Sequence, residues 1–349
     1  MKKLTLVILL LIVAMHMSAQ KTIQVSNDPG LGIIADETSL QTAIDNASPG
    51  DTLLVYPSGR SYGRVNIDKP LHIIGFGFRT DTTQQPSLGI ESQAFDTYAF
   101  QVNVTQGGQN GSIQSLRVEE RTTITAANNY RIIRCNLETL NVMNVSNFEL
   151  RGNFIGPGRI STSNRCNNIG STIAYNAILR NVQNAIIENN IFSIEDLVTD
   201  GSGCNTRRTL WVDNASGNIT IRQNIFRDIV NASNSYIYNN ILTEIGSVGG
   251  SNSTTDNNFV CDQDETPNCD EVFVGYPTGD YSFDSRYQLS STSPAKGAGR
   301  NGEDCGVFGG ASPYQLSGIP KRPLIYQLDV PGNAQGGSMT IEVKVRSGN

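Results

Sequence analysis

Histidine is the scarcest reactive residue type in this chain of 349 residues. Only His16 and His72 occur, and His16 lies in an apolar leader that is typical of a cleaved secretory signal. Because His72 is the single histidine of the predicted mature chain, a two-histidine metal site is excluded there. Catalysis of the Ser-His-Asp or Cys-His type would depend on this one residue. His72 stands between Leu71 and Ile73, which favours a structural position on the outer face of an apolar strand.

Charged residues are also few, at 17% of the chain. Solubility must therefore rest on Asn, Ser, Thr and Gly surfaces, as is common in extracellular β-proteins. The formal net charge is −6, and it becomes more negative when Lys2 and Lys3 leave with the leader. This balance disfavours nucleic acid and anionic membranes as partners.

The sequence has no apolar run that could comfortably span a bilayer, so no transmembrane segment is predicted. The longest run follows the basic start Met1-Lys2-Lys3 and ends before the small residues Ser18 and Ala19. This pattern predicts a signal peptide over residues 1–19. No cysteine lies near the cut, which disfavours a lipid anchor. We expect a secreted or cell-surface protein, or a periplasmic one.

Six cysteines lie in the predicted mature chain, so disulfides are permitted there, although their connectivity cannot be read from the sequence. Cys261 and Cys269 bracket a short polar loop and are the first predicted pair. Cys166 with Cys204 is the second, because both lie in Gly/Asn-rich loops. Cys135 is interpreted as a small buried apolar residue.

One short phrase recurs between residues 133 and 260: an aliphatic residue, two variable residues, an asparagine and one or two large apolar residues. Each phrase is too short to bury its own apolar face, so it must lie on a copy of itself. Successive phrase asparagines are 14 to 23 residues apart, except for one interval of 34 that is two coils or one coil with an insertion. These asparagines are Asn136, Asn153, Asn176, Asn190, Asn224, Asn240 and Asn258.

The phrase favours β-strands over helical repeats, whose periods are about 33 residues or more. The sequence of these segments is rich in β-branched residues, Asn and Gly. Asn tolerates the left-handed backbone of a sharp corner, and its amide can hydrogen-bond to the same amide one coil above and below. We therefore expect an Asn column at one corner of a parallel β-coil of about ten to twelve turns.

Segments at both ends are suited to cap the coil. Thr38 and Gln41 predict a capping box for a helix over residues 40–47, which would cover the first coil. Strands are predicted over residues 99–104 and 113–118. Beyond a linker that begins at residue 313, two further strands predict a β-hairpin, residues 324–330 and 339–345, packed on the other end. The predicted domains are a signal peptide (1–19), a β-helix (20–312), and a linker with a C-terminal β-hairpin cap (313–349).

The start of the coil carries a family resemblance. A Pro49-Gly50-Asp51-Thr52 turn leads into one apolar strand and Lys69-Pro70-Leu71 into another. With the helix before them and the Asn phrases after them, they resemble the right-handed parallel β-helix proteins of the pectate-lyase-like superfamily, bacterial secreted type, over roughly residues 40–310. The resemblance implies an all-β, right-handed parallel β-helix solenoid. It implies no single activity, because lyases, hydrolases, epimerases and adhesins share this architecture.

The candidate site lies where the phrase is interrupted, over residues 195–216. Lyase chemistry needs a cation beside a uronate carboxylate and a base for the α-proton, and the catalytic candidates are Asp200, Arg207 and Arg208. Arg binds a carboxylate in bidentate fashion, and Trp211 is the binding candidate because Trp stacks on sugar rings. The alternative is a solvated loop whose Trp packs on the solenoid wall.

No metal site is predicted, and no cofactor is required. The acidic loop around Asp262, Asp264 and Glu265 could attract calcium, but it lacks the glycine of an EF-hand loop.

Three functions remain open. The first is a non-catalytic secreted protein that binds polysaccharide, cell-surface glycan or another extracellular polymer on its solenoid wall. It is favoured because the paired-Asp and Gly-His-Gly phrases of the family's hydrolases are missing. The second is a polysaccharide lyase or related carbohydrate-active enzyme that uses Arg207 or Arg208. The third is a purely structural or adhesive surface solenoid.

Overall fold

The computed structural model describes most of the predicted mature chain. Its described residues are 20–29, 34–78, 97–156, 173–192, 206–227, 229–230, 232–243, 248–261, 267–276, 284–316, 324–329 and 342–346. The predicted signal peptide, Cys166, Asp200 and Cys204 lie outside them. No helix in this part of the chain is long and apolar enough to cross a membrane.

The strands are numbered β1 to β25 in chain order, and β1 to β23 stack in parallel as successive coils. One side, face A, is a ten-stranded sheet in which every pairing is parallel. Its strands are β1 (Thr22–Val25), β2 (Thr52–Val55), β4 (His72–Ile74), β6 (Ser112–Gln114), β8 (Arg131–Ile133), β11 (Glu149–Arg151), β14 (Ile186–Glu188), β17 (Ile219–Arg222), β20 (Ser235–Tyr238) and β22 (Thr254–Asp256).

A second, thirteen-stranded sheet supplies the other two sides of the coil. Face B consists of its longer strands and their end strand: β3 (Arg64–Ile67), β5 (Tyr98–Val104), β7 (Arg117–Thr125), β10 (Leu140–Ser146), β13 (Ile173–Gln183), β16 (Thr206–Val212) and β19 (Ile229–Val230). Face C consists of two-residue strands: β9 (Asn136–Leu137), β12 (Phe154–Ile155), β15 (Ile191–Phe192), β18 (Ile225–Phe226), β21 (Ile241–Leu242) and β23 (Phe259–Val260). The predicted parallel β-helix is confirmed, and the ten strands of face A match the expected number of coils.

The predicted Asn column exists inside the corner between faces A and C. Asn153, Asn190, Asn224 and Asn240 are buried, and each Nδ2 donates to the Oδ1 of the next asparagine at 2.8–3.0 Å. Asn258 ends the column. Each Nδ2 also donates to a backbone carbonyl one coil back, as Asn190 does to Leu150 O at 2.9 Å. The column therefore satisfies its own polar groups without water.

Two members of the predicted column were wrong. Cys135, and not Asn136, occupies the ladder position, because its N–H donates to Asn153 Oδ1 at 2.8 Å and Asn136 lies opposite Phe154. Asn176 lies within β13 on face B, so its phrase is a chance match. Since Asn190 contacts Asn224 directly, the interval of 34 residues is one coil with an insertion.

The left-handed corner residue is the one before each ladder position, and not the ladder asparagine itself. This residue has φ between 47° and 67° in successive coils. The series is Ser115, Arg134, Gly152, Asn189, Gln223, Asn239 and Asn257. Ser115 also divides the single strand expected over residues 113–118 into β6 and β7, because the corner recurs there in a coil without a phrase.

A second Asn column was not predicted. It lies on the exposed corner before each of the last seven strands of face A, where the seven asparagines have φ between 51° and 64°. Side-chain amides bond along it, as from Asn129 Nδ2 to Asn110 Oδ1 at 2.7 Å and from Asn147 Nδ2 to Asn129 Oδ1 at 2.8 Å. The members are Asn110, Asn129, Asn147, Asn184, Asn218, Asn234 and Asn252. The abundant Asn of this sequence is thus largely structural.

The N-terminal helix caps the first coil as predicted, but its own cap residue differs. Helix α1 (Leu40–Asn46) buries Leu40, Ala43 and Ile44 against β1, β2 and β3. Ser39, and not Thr38, is the N-cap, since its hydroxyl accepts from Thr42 N at 3.3 Å. The helix begins at Leu40 as predicted, but with the cap one residue later Gln41 is not in the capping-box position, and its Oε1 accepts from Asn66 N at 2.8 Å.

The C-terminal part of the solenoid folds back along its side. Helix α2 (Cys269–Val272) and the 3-10 turns Ser285–Tyr287 and Arg300–Gly302 belong to this part, whereas the 3-10 turn Gln106–Gly108 lies in the body. The predicted Cys261–Cys269 disulfide is present, and Cys135 is a buried free thiol as predicted. Strands β24 (Leu324–Asp329) and β25 (Glu342–Arg346) form the predicted antiparallel hairpin. Its packing on the solenoid's end remains a prediction.

Candidate functional site

Trp211 lies on the outer surface of face B. Its neighbours in β16, Leu210 and Val212, are fully buried, so alternation along the strand turns the indole outward, where it is partly exposed. Residues Arg207 and Arg208 lie in the same strand, opposite Ala174 and Tyr175 of β13. Their side chains, like the whole of Asp200, lie outside the described part.

Arg180 stacks on Trp211. The guanidinium carbon of Arg180, on β13, lies 5.5 Å from the centre of the indole, a distance at which cation and ring attract. Beside this pair is a shallow cavity of about 100 Å³ lined by Asn141, Met143, Ile178 and Arg180. The site therefore combines an aromatic ring, a cation, an amide and apolar walls.

The sequence did not predict the partners of Trp211. Asn141 on β10 and Ile178 on β13 share one row of the sheet with Trp211, each directly opposite the next. Because residues 173–178 were interpreted as a corner phrase, Ile178 and Arg180 were not predicted to lie on the outer surface of face B. A clearer sequence signal was the strand alternation of residues 140–143. Leu140 and Val142 are buried, and Asn141 and Met143 lie on the opposite, outer side.

The row continues across the whole of face B. In register with Trp211 and Ile178 come Asn141, Thr123, Asn103 and Asn66, one per coil. Asn103 Nδ2 donates to Asn66 Oδ1 at 3.1 Å. Polar groups thus recur about every 4.8 Å, the spacing between neighbouring strands. Such a row can follow an extended polymer along the solenoid axis.

Face C is closed by the chain itself. The outward residues Phe154, Ile191, Ile225 and Ile241 pack in a second apolar cluster, whose other members come from the C-terminal part except for Phe78. These other members are Phe78, Cys261, Cys269, Val272, Phe273, Tyr287, Ala295, Cys305, Val307 and Tyr314. Face C is consequently not a surface on which a polymer could lie.

Face A carries a paired charge column. Glu188 is buried, and its two oxygens lie 3.2 Å from Arg151 Nη1 and 3.0 Å from Arg222 Nη2. Arg222 Nη1 donates to Tyr238 Oη at 3.0 Å, and Arg300 lies over the Tyr238 ring at 4.3 Å. Glu149 pairs with Arg151 at 2.8 Å and Asp256 with Arg300 at 2.7 Å, so the charges compensate one another. This column therefore stabilises stacking and offers little to a ligand.

A C-terminal strap, residues 299–310, crosses the corner beside this column. Asn189 Nδ2 donates to Val307 O at 2.8 Å and to Gly309 O at 3.0 Å. Glu303 Oε2 accepts from Gln223 Nε2 and Asn239 Nδ2 at 3.1 and 3.0 Å. Three left-handed corner residues therefore hold the strap.

His72 lies apart from Trp211, on the outer side of β4 in face A. Its Nδ1 is 2.9 Å from Ser112 Oγ. Burial, helped by the positive charge of Arg131, lowers the His72 pKa, so the imidazole is neutral at pH 7. The prediction of a structural, outer-face histidine agrees with this position.

Acidic residues near the indole have structural partners. Asp213, two residues after Trp211, accepts from Ser216 Oγ at 2.6 Å and from Asn181 N at 3.0 Å. Across the described ranges, no three His, Cys, Asp or Glu side chains are grouped as metal ligands would be. Most of the acidic loop proposed for calcium, residues 262–266, lies outside those ranges.

Comparison with known proteins gives remote structural similarity only. No protein-family description and no curated protein matches the sequence. Among solved structures, the crystal structure of pectate lyase Pel9A aligns with 14% identity and a TM-score of 0.31. The alignment covers 81% of this chain and 92% of that one.

Proposed function

We propose that this protein binds an extracellular polysaccharide or cell-surface glycan along the outer surface of face B, with Trp211 and Arg180 at the centre of the site. The stack of Arg180 on Trp211, beside the cavity lined by Asn141, Met143 and Ile178, is the observation that carries the proposal. An aromatic ring covers the apolar side of a sugar ring, and the amide and guanidinium supply hydrogen-bond donors.

The other two faces favour the same surface by elimination. Face C is covered by the C-terminal part, and the charges of face A that surround Glu188 are already compensated. Face B presents a polar row in register instead. A regular row on a rigid wall suits a long, repeating ligand.

An exported location accompanies this function. The leader over residues 1–19 is the sequence feature behind it. The Cys261–Cys269 disulfide supports an oxidising compartment. We propose secretion to the medium or the cell surface.

The first experiment uses Trp211 itself as the reporter. It is the only tryptophan of the chain, so its emission can be followed while the mature protein is titrated with acidic and neutral polysaccharides, with and without calcium. Binding at face B shifts that emission. Unchanged emission across the panel, with no binding by affinity electrophoresis, contradicts the proposal and leaves the structural or adhesive solenoid.

Paired variants locate the site. Trp211→Ala should weaken affinity by about tenfold or more, as loss of a central aromatic usually does. Tyr236→Ala is the matched control, because Tyr236 is 54% exposed on face A. Equal loss in both variants, or loss only in Tyr236→Ala, places binding elsewhere and refutes the assignment to face B.

The same incubations test the lyase alternative. Arg207 and Arg208 share β16 with Trp211, which places two cationic residues in the strand of the proposed site. Absorbance of unsaturated products, abolished by Arg207→Gln or Arg208→Gln, would make the protein a lyase. Binding without such products is the result we expect.

A further inference from the structure

Face B carries a second arginine–aromatic pair, far from Trp211. The guanidinium carbon of Arg64, on β3, lies 5.4 Å from the centre of the Phe100 ring on β5. Phe100 is 37% exposed, one of few large apolar side chains so open to solvent among the described residues. A phenyl ring in that position contributes little to the core, which gives reason to look for a ligand.

Phe100 lies outward beside a β-bulge in β7, where the paired strands β5 and β7 pass from face C to face B. Pairing of β5 with β7 shifts by one residue between Ala99 and Gln101, so that Phe100 lies opposite both Glu119 and Glu120. Ala99 and Val102 are buried, and neither Phe100 nor Gln101 between them is. Bulges often re-aim a side chain at a binding site. Regular alternation would place Phe100 and Gln101 on opposite sides of the sheet.

The charges around Phe100 leave Arg64 accessible. Arg64 Nη2 is 3.8 Å from Glu120 Oε2, and 65% of the Arg64 side chain is exposed. At that exposure the ion pair is weak. The Arg64 guanidinium can therefore exchange Glu120 for ligand oxygens and remain over the Phe100 ring. Arg180 lies over Trp211 in the same way.

The two pairs lie on one continuous path. From β5 to β16 there are four strand-to-strand steps, through β7, β10 and β13, which is about 20 Å along the solenoid axis. Outward residues on the intervening strands include Thr123 and Asn141, in the same row as Trp211. Phe100 lies three residues before Asn103, the member of this row on β5, which is about 10 Å along the strand. An extended chain that contacts Trp211 therefore reaches Phe100 by crossing the strands obliquely, towards the start of β5.

We propose that Phe100 and Arg64 form a second subsite for the polysaccharide chain that binds at Trp211 and Arg180. The affinity of face B for a ligand then depends on the length of the ligand. This inference rests on the proposed function. Once one end of a chain is bound, contact at the second subsite is intramolecular, and affinity rises once the chain is long enough to reach both. Chains too short to span about 20 Å gain nothing from Phe100.

The test is a length series. Size-fractionated alginate oligomers serve as the acidic probe and xylan oligomers as the neutral one, from disaccharide to about decasaccharide. For the wild-type protein we expect affinity to rise by about tenfold or more across the length that spans the two subsites. Phe100→Ala should remove this step and leave disaccharide affinity within about twofold, which also checks that the variant folds.

Two further variants separate the explanations. Phe100→Leu keeps apolar bulk without an aromatic face and should also lose the step, whereas Tyr236→Ala on face A should keep it. A smooth rise with length that Phe100→Ala does not alter overturns the second subsite while binding through Trp211 stands. Failure of every oligomer to bind, or binding indifferent to Trp211→Ala, overturns the proposed function and the second subsite with it.

Discussion

The ladder asparagines show how a single side chain can specify a corner. Asn190 donates to Leu150 O and to Asn224 Oδ1, and its own Oδ1 accepts from the backbone and side-chain amides of Asn153. All of these groups are buried. A buried polar group that loses its partner costs about 1–3 kcal/mol, so one asparagine here stabilises three coils.

Asn190→Ala should therefore lower the free energy of unfolding by about 4 kcal/mol, because several buried groups lose their partners at once. Asn129→Ala is the matched control in the exposed column. It should cost about 1 kcal/mol, mainly through the left-handed backbone. Urea unfolding of both variants measures the difference. Equal losses would mean that the inner ladder is no more important than the surface one.

The two described free thiols should be inert in the folded protein. Burial raises the pKa of Cys135 to about 12, and burial together with the charge of Asp304 raises that of Cys305 to about 12. Thiolate is the reactive form, so at pH 8 neither should react with a thiol reagent until the chain is denatured. Peptide mapping by mass spectrometry identifies the labelled positions. Rapid native labelling of Cys135 would contradict its placement in the ladder.

Among the elements, the C-terminal strap is joined to the left-handed corner residues by side-chain hydrogen bonds that single substitutions can remove. Asn189→Gly keeps the left-handed backbone without strain but removes both donors to the strap. We expect a local cost of about 2 kcal/mol. Amide hydrogen exchange at Gly306 and Gly309 should then be about thirtyfold faster.

Asn252→Gly controls for the change of residue type, since Asn252 is left-handed but lies in the exposed column away from the strap. Strap amides should exchange at the wild-type rate in that variant. If Asn189→Gly also left them unchanged, the Asn189 hydrogen bonds would contribute nothing to holding the strap.

Sequence patterns predicted most corners of the repeat and failed where the phrase varies or matches by chance. The phrase around Asn153, Asn190, Asn224 and Asn240 marks the corner because a buried ladder tolerates little else. In the coil where Cys135 occupies the ladder position, the prediction chose the neighbouring Asn136 and was one residue out of register. Asn176 matched the phrase by chance, since a single strand contains the same residue types.

The candidate site was predicted in part for a similar reason. Trp211 could be selected from the sequence because Trp is rare and suits sugars. Arg180, Asn141 and Phe100 could not, since they reach one surface only through the register of neighbouring strands and a bulge. The strap over face C was equally hidden, because contacts between residues more than a hundred positions apart leave no local pattern.

For the whole molecule, the three faces have different roles. Face A is tied together by compensated charges, face C is buried under the C-terminal part, and face B carries aromatic rings, cations and a polar row towards solvent. Stacked coils hold these groups in fixed register over many strands. The fold thus provides a rigid, linear surface, which is why we propose a linear ligand.

Hydroxyl-radical footprinting of the mature protein with and without bound polysaccharide tests this assignment most directly. Oxidation is read at Trp211, Met143 and Phe100 on face B, and at Tyr236 on face A. We predict that ligand protects the three residues on face B and leaves Tyr236 unchanged. Protection of Tyr236 without protection of Trp211, or no protection at any of the four, would contradict the account.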